Sequence, residues 1–106
     1  MKNYSVEEML KNYKNLRAKT NLLAGSNLSE EKKQELNQLK NDLDNLDVCI
    51  AGLNDEDAEL IKLYFFDCIS ANRITKKIPL AIATIYRKKN KALAEIEANF
   101  KLFSKN

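Results

Sequence analysis

Apolar side chains recur along this chain in steps of three and four, the spacing of one helical face. Met9, Tyr13, Leu16, Thr20 and Leu23 lay one such stripe on a helix predicted from about Ser5 to Leu23. Ser5 can cap it, Glu7 and Glu8 suit its first turn, and Gly25, followed by Ser26 and Asn27, reads as a C′ stop and turn. The next stretch is the most regular. Leu36, Leu39, Leu43, Leu46, Ile50 and Leu53 form a heptad seam on a helix that starts behind Ser29, carries Glu30 and Glu31 in its first turn, and runs to about Ala51 before Gly52. The short Gly-containing loop ahead of it makes the first helix its nearest partner, in an antiparallel hairpin, with self-association along the same seam as the rival.

Beyond Leu53 the pattern shortens. Asn54 is a helix cap followed by Asp55, Glu56 and Asp57, all favoured by the helix dipole, and Ala58, Leu60, Ile61, Leu63, Tyr64 and Phe65 supply a broad apolar face ending near Asp67. Ser70 can cap a helix of little more than two turns carrying Ile74 and Ile78. Pro79 ends it, because proline cannot donate a backbone hydrogen bond and disfavours helix in the residue before it. After the turn Pro79-Leu80-Ala81, a last helix is predicted from about Ile82 to Phe100 or beyond. Ile85, Ala92, Leu93, Ile96 and Phe100 face inward on it, and Arg87, Lys88 and Lys91 outward. The aromatic residues Tyr64, Phe65, Phe66, Phe100 and Phe103 are assigned to the core.

Composition supports helices throughout. The 106 residues include two Gly and one Pro, where an average chain of this length would hold about seven and five, so the turns that sheets require are scarce. The expected class is all-α, with room for one compact domain or a small domain with a helical arm. There is no His, which removes imidazole as base, pH switch or metal ligand and makes an enzyme a poor expectation. Cys49 and Cys68 read as reduced core residues, the acidic runs read as helix-start charges rather than metal ligands, and no cofactor is expected. The first residues have no apolar h-region and no apolar run approaches membrane-spanning length, so a soluble, cytoplasmic protein with no membrane partner is expected.

Charge changes the picture more. The net charge of +3 conceals a division: residues 1 to 67 hold nine basic and thirteen acidic side chains, net −4, and residues 68 to 106 hold nine basic and two acidic, net +7. No acidic residue lies between Asp67 and Glu95, whereas Arg73, Lys76, Lys77, Arg87, Lys88, Lys89 and Lys91 all do. Such a stretch is the electrostatic footprint of a phosphate-binding surface.

A short helix, a tight turn and a longer basic helix are the ingredients of a helix-turn-helix, whose second helix enters the DNA major groove. Ile74, Ile78, Leu80 and Ile85 can converge to fix the angle between the two helices, and the small Thr75 allows close approach. Ala83, Thr84, Arg87 and Lys88, with Tyr86 at an edge, are then the groove-facing candidates. Arg73, Lys76 and Lys77 suit phosphates on one side, and Lys89 and Lys91 suit the backbone further along.

The stretch ITKKIPLAIATIYRKKNKAL resembles the end of the sigma-70-type minus-35-recognising domain, region 4 of that family. Ile78 to Ala81 match its turn, Thr84-Ile85 its Thr-Val pair, Arg87 to Lys89 its basic cluster, and Ala92-Leu93 its closing Ala-Leu. LNDEDAELIKLYFF is similar to the family's preceding helix, so the likeness covers about residues 53 to 96. With its long helical amino-terminal region, the whole chain looks most like phage and prophage late-operon regulators of the ArpU and RinA type. The resemblance implies a DNA-binding transcription regulator without a cofactor. Joined to the seam reading above, it gives residues 1–52 as a helical hairpin arm for dimerisation or partner contact, RNA polymerase included, and 53–106 as a three-helix domain ending in a DNA-binding helix-turn-helix. Pro79 and Ala81 depart from the Gly and capping Ser usual in the turn. Ile82 stands where a polar base-reading side chain is common; an apolar one suits a thymine methyl or a protein surface. Two other readings are a DNA-recognition subunit of a phage packaging machine and a protein-interaction adaptor without DNA binding.

Overall fold

A computed structural model describes residues 5–103 and is all-α. The chain forms α1 (Val6–Lys11), α2 (Tyr13–Leu23), α3 (Glu30–Ala51), α4 (Asp55–Ile61) continuing into a π-helical turn (Lys62–Phe66), α5 (Ala71–Ile74) and α6 (Ile82–Phe103). Side-chain caps set most of the starts. The hydroxyls of Ser5, Ser29 and Ser70 accept from the backbone N–H groups of Glu8, Lys32 and Arg73, and the Asn54 side chain accepts from Asp57. Each satisfies a backbone donor that the first helical turn would leave unpaired.

The predicted first helix is two helices. Asn12 sits between them at φ −106°, ψ 13°, where its side-chain amide and its backbone N–H both donate to the Glu8 carbonyl, at 2.9 and 3.0 Å. An Asn side chain competing for a backbone acceptor loosens the helical ladder locally. The Leu16 N–H still reaches the Asn12 carbonyl at 2.8 Å, and the stripe carries through the break, with Met9, Leu16 and Thr20 buried. Gly25 does not form the left-handed stop expected of it. No glycine of the described residues has a positive φ, and the turn is closed by Ser26 N–H to Leu23 and Leu28 N–H to Ser26.

On α3 the seam is buried at its carboxy-terminal end, at Leu43, Leu46 and Ile50, with Leu53 buried just beyond it, and half-buried at Leu36 and Leu39. It packs chiefly on α2, in an antiparallel hairpin, and on α6. A polar clasp ties α2 to α3. Tyr13 donates to Asp47 at 2.5 Å, and the Arg17 guanidinium pairs with Asp44 and Asp47 while its Nε donates to the Tyr13 oxygen. Burial works against the Arg17 charge, but its hydrogen bonds to Tyr13, Asp44 and Asp47 prevail and raise its pKa. Tyr13 also stacks on Phe66 with ring centroids 4.3 Å apart, which brings in the π-helical turn, and Lys14 pairs with Asp67 at 2.8 Å.

The main core therefore runs across the expected boundary at residues 52 and 53. Met9, Leu10, Leu16, Leu43, Leu46, Cys49 and Ile50 share it with Leu53, Ile61, Phe65, Ala92 and Ile96. The outermost residues of the two expected segments, 1–4 and 104–106, lie outside the described residues. A second, smaller cluster of Leu60, Ala71, Ile74, Ile78 and Ile85 holds α5 and the start of α6 against α4.

Two core assignments change. Cys49 is buried and its burial raises the thiol pKa, but Cys68 is exposed, in the left-handed conformation at φ 54°. The π-helical turn is the reason. Asp67 N–H bonds to Lys62, one residue wider than an α-helical closure, and Ile69 N–H to Leu63, two residues wider, and Cys68 must reverse the chain between them. Of the aromatic residues, Phe65 is buried and Tyr64, Phe66 and Phe100 are half-buried, but Phe103 is 40% exposed. It lines a groove together with Phe100 and the polar residues Gln38, Asn41, Asp42, Asp44 and Asn45. No described helix is long and apolar enough to cross a membrane.

Candidate nucleic-acid interface

The segment from Ser70 to Arg87 is held from behind by the smaller core cluster. Its first helix is shorter than predicted: α5 is a single turn, and the chain then reaches Ile78 through tighter turns, Lys76 N–H to Arg73 and Lys77 N–H to Ile74. The Thr75 hydroxyl donates to the Asn72 carbonyl at 2.6 Å and loosens the ladder there, and Ile78 N–H returns to the Ile74 carbonyl at 2.8 Å just before Pro79. Leu80 N–H closes a turn onto the Ile78 carbonyl at 2.7 Å, and α6 begins two residues later without a side-chain cap, since Ala81 has no acceptor to offer.

Helical spacing on α6 sorts its residues around the buried line of Ile85, Ala92 and Ile96. Ala83, Arg87 and Asn90 form the crest opposite that line. Ile82, Tyr86 and Lys89 form one shoulder; Thr84, Lys88 and Lys91 form the other. Ala83, Tyr86, Arg87, Asn90 and Lys91 are exposed, and Thr84 is half-buried. Before the turn, Arg73, Lys76 and Lys77 are exposed as well. Among the described residues no ion pair engages Arg73, Lys76, Lys77, Arg87 or Lys91.

Lys88 differs from the rest of the set. Its ammonium lies 2.9 Å from Glu56 and 3.9 Å from Asp57, at the start of α4. The hydrogen bond and charge of Glu56 raise its pKa, against a smaller opposing effect of burial and of neighbouring Arg87. Asp57 needs that neighbour, because its Oδ1 is buried without a hydrogen-bond partner. Lys88 thus braces α6 on α4. Lys89 is drawn aside too, with its ammonium 4.8 Å from the centre of the Tyr64 ring and 5.8 Å from that of Tyr86.

Tertiary placement adds two residues that charge and spacing passed over. Asn90 lies on the crest one turn after Arg87, a position readable from the three-residue step. Ile82 is 39% exposed, although a β-branched apolar residue at a helix start reads more naturally as core. Lys76, Lys77 and Arg73 flank the turn on one side and Arg87 and Lys91 continue beyond it, so the uncompensated cations border an apolar tip. No protein-family model, curated protein or solved structure matches this chain.

Proposed function

We propose that the protein is a DNA-binding transcriptional regulator, of the phage or prophage type its sequence resembles, in which α5, the Pro79 turn and α6 act as a helix-turn-helix with α6 from about Ile82 in the major groove. One observation carries the reading. Five exposed cations, Arg73, Lys76, Lys77, Arg87 and Lys91, stand without an acidic partner among the described residues along α5, the turn and the first half of α6, a stretch with no acidic residue of its own. Phosphates are the natural counter-charge for such a border. The amino-terminal hairpin is then free for protein contacts, either with RNA polymerase or with a second copy of the chain.

Binding of labelled duplex DNA by the purified protein, followed by fluorescence anisotropy at two salt concentrations, tests this. Each phosphate contact contributes about 0.9 to the slope of log affinity against log salt. Lys77→Ala with Arg87→Ala should lower that slope by roughly 2. Absence of duplex binding at low salt, or a slope untouched by the two changes, overturns the reading. The exposure of Ile82 and Tyr86 favours a second reading, a protein-interaction adaptor; it would show salt-insensitive binding to a protein partner and no affinity for DNA.

A further inference from the structure

The tip that the cations border is unusual for a surface that touches bases. Pro79, Ala81, Ile82 and Ala83 are all exposed, and none has a side chain able to donate or accept a hydrogen bond. Thr84 is half-buried, Ile85 is buried, and the first fully exposed polar side chains of α6 are Tyr86 and Arg87, a turn further on. Ile82 and the ring of Tyr86 lie one above the other, the two residues 39% and 45% exposed, so the apolar surface of Ile82 continues onto an aromatic face.

In the major groove every base edge carries hydrogen-bonding groups, and thymine alone adds an apolar one, its C5-methyl. An apolar tip pressed against guanine, cytosine or adenine strips water from donors and acceptors and returns nothing. Against thymine it covers a methyl group, and the hydrophobic effect favours that contact. The cations on either side can hold the tip in the groove without reading sequence themselves.

We propose that this tip selects thymine-rich duplex by methyl contact, with Ile82 as the specificity-determining residue; the inference rests on the DNA-binding reading above. Direct hydrogen-bonded readout by the first turn of α6 is absent from this scheme, and the preference follows from what the first turn lacks as much as from what it carries.

Replacing thymine by uracil removes the methyl and leaves the base-pairing groups in place. The test compares an alternating A·T duplex, its counterpart with every thymine replaced by uracil, and a G·C duplex of equal length, against the full chain and its Ile82→Ala variant. Ile82 is exposed, so the variant keeps the core intact; circular dichroism checks this. The A·T duplex should bind tightest. Uracil should weaken binding about fourfold for each methyl contacted, the equivalent of one buried methyl group, and Ile82→Ala should abolish most of that difference. Equal affinity for thymine and uracil duplexes, with binding otherwise strong and salt-dependent, overturns methyl readout and leaves DNA binding standing. A thymine preference undiminished in Ile82→Ala overturns the role given to Ile82. No binding to any duplex at low salt overturns the DNA-binding reading itself.

Discussion

Cys68 is the one described non-glycine residue with a positive φ. A left-handed conformation costs an L-residue about 1–2 kcal/mol because Cβ crowds the following carbonyl. Its thiol offsets little, donating to the Phe65 carbonyl at 3.5 Å. Cys68→Gly should therefore stabilise the protein by about 1 kcal/mol, reduced somewhat by the extra freedom of glycine in the unfolded chain. Urea unfolding would report it as a higher midpoint with an unchanged slope. Cys68→Val, with a β-branched side chain, should move the midpoint the other way. No sequence signal pointed to this residue, because its conformation follows from the wider closure of the π-helical turn before it. The glycine that did carry the signal, Gly25, adopts no positive φ.

Helix starts are the features most legible along the chain. Ser5, Ser29, Asn54 and Ser70 were all readable as caps, and each makes the expected bond, because capping needs only a side-chain acceptor and a backbone donor three residues away. Joints between elements are less legible. Tyr13 reaches Asp47 across 34 positions, and Lys88 reaches back to Glu56. Lys88, counted as a groove contact from its outward position and its basic neighbours, spends its charge on α4. These joints set a pH dependence. Burial first, and then the hydrogen bond to Asp47, raise the Tyr13 pKa, and Glu56 raises that of Lys88. For both groups the protonated form is favoured in the folded state, so their contribution is complete below the unfolded values near 10 and is lost as pH rises through the folded ones. Thermal melts should show stability declining above about pH 10, and Tyr13→Phe should lessen the decline. An alkaline decline of equal size in Tyr13→Phe would remove Tyr13 from this account.

Across the whole molecule the two oppositely charged halves share one core. The chain measures 50 × 27 × 21 Å with a radius of gyration of 15.3 Å, above the roughly 13 Å of a compact globule of 100 residues, because α3 and α6 are each 22 residues long. Leu46, Cys49, Ile50 and Phe65 from the acidic half pack in the same cluster as Ala92 and Ile96 from the basic half. Unfolding should therefore be a single transition, with far-ultraviolet circular dichroism and tyrosine fluorescence giving coincident curves. Two separated transitions would mean that the hairpin and the basic half fold independently. The same packing bears on the proposed regulator, since a partner docking on the hairpin and DNA docking on α6 would act on one rigid body rather than on two units joined by a linker.

What the sequence determined by itself was the local and the additive: an all-α chain, the caps, the heptad seam on α3 and the split of charge into −4 and +7. These depend on neighbours within about a turn, or on sums over a segment. Only the tertiary structure decided which cations remain uncompensated, that the seam is shared between α2 and α6, and that Ile82 faces outward while Leu60 and Ile85 close the cluster behind it. The physical reason is that solvent exposure and charge pairing depend on residues far apart in the chain. Lys88 and Arg87 are adjacent and alike in charge, and only the position of Glu56 in space separates their roles.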